Sequence, residues 1–119
     1  MRNLKLEKEM VKISKEIWPY LKGKEKRFPK ILSKQGGGSG CYYREEHTVY
    51  YRWNVWHNMP LAGKRMLVIH ELYHAKGNHH KSGEMFCHSF DILTIEIYKK
   101  IYGEDKEYKE VIEKLKDFI

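Results

Sequence analysis

Residues 66–75 read MLVIHELYHA. Met66, Leu67, Val68, Ile69, Leu72, Tyr73 and Ala75 leave almost no polar face, and a helix apolar nearly all round is a central, buried one. Asn58 and Pro60 announce this helix, and Gly77 ends it after Lys76. Yet the same turns carry His70, Glu71 and His74. Two imidazoles and a carboxylate cannot be buried without partners. The chain must therefore fold around this helix while satisfying three polar groups in its middle.

Positions i and i+4 of a helix lie about 40° apart, one above the other. His70 and His74 thus point the same way and can hold one metal ion through their imidazoles. Glu71 sits about 100° round from His70. That is too far round for the natural third ligand, but within reach of a water at the metal. The expected chemistry is that of a zinc hydrolase. Zinc lowers the pKa of the water and polarises a carbonyl, and Glu71 takes the proton. A pair of hydrogen-bonded core histidines beside a salt-bridged glutamate is the plainer alternative.

A catalytic zinc takes three protein ligands and keeps one position open. Three candidates lie downstream. His80 completes the metzincin spacing His70-Glu71-x-x-His74-x-x-Gly77-x-x-His80. Against it, residues 76–82 read KGNHHKS, a polar loop, and no Met-turn follows. His88 falls in Gly83–Tyr98, sixteen residues without a Lys or Arg in a chain otherwise full of them. A helix lacking cations over that span is buried on both sides. His88 and Asp91 then lie one turn apart on its inner face, with Asp91 placed to support a metal-bound histidine from behind. Glu84 is the third candidate, in a first turn where an acid suits the helix dipole. His88 is preferred and His80 stays open.

Elsewhere the pattern gives one α+β domain over residues 1–119. Leu6, Met10, Ile13 and Ile17 form the stripe of an N-terminal amphipathic helix, closed by Pro19 and Gly23. A basic stretch, Lys22 to Lys30, leads to Gly36-Gly37-Gly38-Ser39-Gly40. This loop lacks the GK[ST] ending of a phosphate cradle and reads as a flexible hinge. Cys41–Arg44 and Thr48–Trp56, the second with clear alternation, are expected as two strands of a short antiparallel sheet, with a turn at Glu45–His47. A second helix follows the His/Glu helix, from about Gly83 to Tyr102, with Ser82 as its cap and Gly103 as its stop. Residues 105–119 form a last amphipathic helix, apolar through Tyr108, Val111, Ile112, Leu115, Phe118 and Ile119.

Of the 119 residues, 41% are hydrophobic and 33% charged, which fits a globular chain. The formal net charge is +7. Lys and Glu interleave almost everywhere, so the excess forms no basic block of the kind that binds nucleic acid. No apolar run reaches membrane-spanning length, and MRNLKLEKEM reads as a charged helix start, not a signal peptide. Cys41 and Cys87 form no CxxC pair and are expected as small core residues in a reducing cytoplasm.

An HExxH helix, followed by a second helix that supplies a ligand and then an Asp, resembles the gluzincin metallopeptidases. In most of those the second-helix ligand is Glu; here the matching segment reads Cys87-His88-Ser89-Phe90-Asp91. The order of elements and the short length look like the minigluzincins, over roughly residues 41–102, with HELYH as the one sharp motif. The resemblance implies a small zincin-like domain, zinc as cofactor, Glu71 as catalytic base and a peptide or protein substrate. It also implies that Thr48–Trp56 is the edge strand above the cleft, and that a C-terminal segment holds the enzyme latent. That segment would be 105–119, lying in its own cleft or swapped into a second copy. HELYHA also looks like the DNA-linked SprT-type proteases, which would favour His80 and give the positive charge a purpose. A non-catalytic zinc module is the alternative outside enzymology, and Glu71 argues against it because a structural zinc needs no general base. Tyr73, Tyr98 and His79 are all candidates for a transition-state donor.

Overall fold

The computed structural model describes residues 1–77 and 92–115. In chain order it comprises helix α1 (Leu4–Ile17), strands β1 (Lys30–Lys34), β2 (Gly40–Tyr43) and β3 (Thr48–Arg52), a single helical turn α2 (Trp53–Trp56), and helices α3 (Leu61–Ala75), α4 (Ile92–Tyr102) and α5 (Lys106–Leu115). The expected α+β class holds. No helix among the described residues is long and apolar enough to cross a membrane.

Several helix ends have a local cause. Asn3 caps α1 by accepting the Leu6 N–H at 3.1 Å. A 3-10 turn, Trp18–Tyr20, carries Pro19 and closes it. Gly77 and Gly103 follow α3 and α4 with φ of 90° and 72°, a left-handed conformation that costs glycine little. α3 is the central element, as its composition requires. Met66 to Leu72 are all buried, the two polar groups His70 and Glu71 among them.

The sheet differs from expectation in three ways. Its order is β1-β3-β2, so the strand beginning at Thr48 is central and Gly40–Tyr43 is an edge. It is mixed rather than antiparallel, because β1 runs parallel to β3 with Lys30 opposite Thr48. And β3 stops at Arg52. Continued alternation to Trp56 would put that indole on the same face as Tyr50, away from the core. The helical turn α2 instead brings Trp56 inside, fully buried, with its ring 5.1 Å from Tyr51. Its indole N–H donates to Glu9 at 2.7 Å, and Lys64 reaches the same carboxylate oxygen at 2.8 Å.

Ile31, Ser33, Val49 and Tyr51 are buried on the inner face of the sheet, toward α1 and α3. Glu7 of α1 crosses to β1, accepting from Ser33 N–H at 3.0 Å and Ser33 Oγ at 2.7 Å. Cys41 lies on the other face and is half-buried, a departure from the core position expected for it. The glycine loop is fastened rather than hinged. Arg52 donates from Nε to Gly37 O at 2.9 Å and from its backbone to Ser39 O at 2.9 Å, and Asn54 Nδ2 donates to Gly36 O at 3.1 Å. At the far side, α4 and α5 pack on α3. Tyr98 is buried, stacks on Tyr108 with centroids 5.5 Å apart, and donates to Asp105 at 3.0 Å. Val111 completes this layer. Tyr108 and Val111 of α5 therefore pack on the core of the same chain, and residues 116–119 lie outside the described residues.

Candidate metal centre

α3 sets the geometry of the site. The Nε2 atoms of His70 and His74 lie 3.2 Å apart, one turn from each other, with the rings nearly perpendicular. Glu71 Oε1 is 3.7 Å from His70 Nε2. One ligand atom from each of the three residues falls within 4.8 Å of the others. The helical spacing thus gathers the donors the sequence pattern indicates.

Burial gives this cluster its chemistry. His70 and Glu71 are each 5% exposed. Removal from water pushes the Glu71 carboxyl up to about 7, against a smaller opposing pull from His70. Its Oε2 is buried and meets no hydrogen-bond partner among the described residues. An acid that titrates near neutrality is suited to accept and return a proton. A buried carboxylate oxygen beside two imidazoles, with no donor of its own, also fits a divalent cation with nitrogen and oxygen preferences such as zinc.

Two features of the site carry no signal in the sequence. Gly40 lets β2 pass directly over Glu71. A Cβ there would lie 3.1 Å from Tyr50 O, 3.2 Å from Tyr51 Cδ1 and 3.5 Å from Glu71 Cγ. The buried Tyr51 phenol shares this pocket. Burial, and next the nearby Glu71 charge, hold it well above the ordinary tyrosine range.

A cavity of about 460 Å³ opens beside His74, lined among the described residues by parts of the Lys22–Lys30 segment, the β2–β3 hairpin and the end of α3. His47 closes the hairpin at φ 48°, a left-handed backbone uncommon outside glycine. Both its ring nitrogens are engaged. Nε2 donates to Arg27 O at 2.7 Å, which leaves Nδ1 to accept from the Tyr42 hydroxyl at 2.8 Å. The basic stretch before β1 thus forms a wall of the site. Its only trace in the sequence is the density of Lys and Arg.

His79, His80, Glu84, His88 and Asp91 lie outside the described residues, so none of the three candidate third ligands, His80, His88 and Glu84, is placed. Tyr98 is committed to Arg65 and Asp105. Tyr73, half-buried on α3, lies between Glu71 and His74 in sequence. Comparisons with protein-family models, with curated proteins and with solved structures found no match.

Proposed function

We propose that the chain is a zinc-dependent metallopeptidase that hydrolyses peptide bonds, with His70 and His74 as metal ligands and Glu71 as general base. The observation that carries this reading is the Glu71 carboxyl, buried beside the paired imidazoles and pushed up to about 7. A purely structural metal site has no use for such an acid. Zinc, when bound, supplies Lewis acidity toward a carbonyl and a water. Glu71 takes the proton of the attacking water and later returns it to the leaving amine. Gly40 keeps the space above the carboxylate narrow, and Tyr51 and the walls of α3 exclude bulk solvent from it.

The test combines metal content with proteolysis. Wild type should carry stoichiometric zinc and cleave unstructured peptides. His74→Ala should lose the metal. Glu71→Gln should keep it while turnover falls about 100-fold or more. Zinc retained in His74→Ala would sink the metal assignment. Zinc bound without any peptidase activity would instead support the non-catalytic module. Running the same metal measurement on His80→Ala and His88→Ala identifies the third ligand.

A further inference from the structure

We propose that the cavity beside His74 is a carboxylate-binding subsite. It takes an acidic side chain, or the free C-terminus, of a peptide whose scissile bond lies at His70, Glu71 and His74. This rests on the reading of that cluster as a peptidase centre. The cavity shares His74 with the cluster, so a group held in it lies within a few residues of the bond attacked.

Charge selects the ligand class. Lys24, Arg27 and Arg44 line the cavity against one carboxylate, Glu25. That carboxylate is already taken, since Arg27 donates to it from Nε at 2.7 Å and from its backbone at 3.1 Å. Lys24 and Arg44 make no ion pair among the described residues. Two uncompensated cations on a concave wall raise the local concentration of anions. The guanidinium of Arg44 offers the planar fork that matches a carboxylate.

The cavity is also built in advance. The Lys22–Lys30 segment is pinned at three points: Glu25 N–H to Lys76 O at 3.2 Å, Arg27 O to His47 Nε2 at 2.7 Å, and Lys30 N–H to His47 O at 3.0 Å. The left-handed backbone of His47 is held by the same contacts. A peptide docking here orders none of these walls, so little of its binding free energy is lost to their immobilisation.

The experiment uses fluorogenic peptides that differ only by Glu or Gln at successive positions on each side of the bond, each made with a free or an amidated C-terminus. The full-length zinc-loaded protein should prefer one acidic position, or the free C-terminus, about tenfold or more in kcat/KM, and less so at high salt. The free-acid arm tells the two carboxylate sources apart. Arg44 is exposed on the hairpin, so Arg44→Glu should fold normally and reverse the preference toward Lys; Lys24→Ala should weaken it. Fluorescence anisotropy on Glu71→Gln should show the same order of peptide affinities without turnover. Cleavage with equal rates for Glu and Gln at every position and for both termini overturns the subsite while leaving the peptidase reading intact. So does a preference that survives Arg44→Glu. A zinc-loaded protein that cleaves nothing overturns the peptidase reading, and the subsite falls with it.

Discussion

Four hydrogen bonds end on the Glu7 carboxylate, two from Arg2 and two from Ser33, whereas Glu71 lies buried with one oxygen unserved among the described residues. The two acids consequently respond to pH in opposite directions. Arg2 and Ser33 hold the Glu7 carboxyl below its ordinary 4.5. Its contribution to stability is present above that value and is lost as pH falls through the lower folded one. Glu71 is raised, so in the metal-free chain its contribution is present below 4.5 and is lost as pH rises through about 7. Urea denaturation should therefore find Glu7→Gln destabilised by about 1–3 kcal/mol at neutral pH, with the gap closing in acid. Metal-free Glu71→Gln should be neutral or stabilised at pH 8. A Glu7→Gln deficit that stayed constant down to pH 3 would show that packing, not charge, is what the variant loses. The His70 and His74 pair itself was legible at this scale because one helix supplies it. The Lys24, Arg27 and Arg44 wall was not, because it draws on two segments separated in sequence and brought together by His47 and the start of β1.

Among the elements, α1 and α5 follow from apolar stripes long enough to fix a period, α3 from an apolar run bounded by Pro60 and Gly77, and the β2–β3 hairpin from strand residue types flanking a polar turn. β1 escaped because five residues, two of them Lys at the ends, cannot establish a period, and its buried Ser33 looks polar until Glu7 is seen to bind it. The end of β3 escaped because tertiary contacts of Trp56 decide it, not local alternation. The role of α5 is open to a direct test. Tyr108 and Val111 are buried, and Asp105 just before the helix serves both Tyr98 and Arg65. Burying the two side chains contributes about 3–6 kcal/mol. Ending the chain at Gly103 should thus lower Tm by about 10 °C or more, followed by circular dichroism. A truncated chain that keeps its Tm and gains peptidase activity would instead mark the helix as a removable plug.

At the scale of the whole molecule, α3 is held from three sides: by Glu9 of α1 through Lys64, by β2 through Gly40, and by α4 and Asp105 through Arg65. The cluster on its later turns therefore sits on a frame braced over most of the chain. The mixed sheet adds a consequence in time. β2 finds β3 across a tight turn, Tyr43 opposite Thr48. β1 has β3 as its strand partner, and its first pairing joins Lys30 to Thr48, eighteen positions on, with β2 and the fastened glycine loop between. Closing the larger loop costs more entropy, so the hairpin forms before β1 can join it. In stopped-flow refolding, Val49→Ala should slow folding, while Ile31→Val should act mainly by speeding unfolding. The reverse pattern would place β1 in the folding nucleus. A strand synthesised early is thus seated late, and until β3 emerges from the ribosome it waits without its pairing edge.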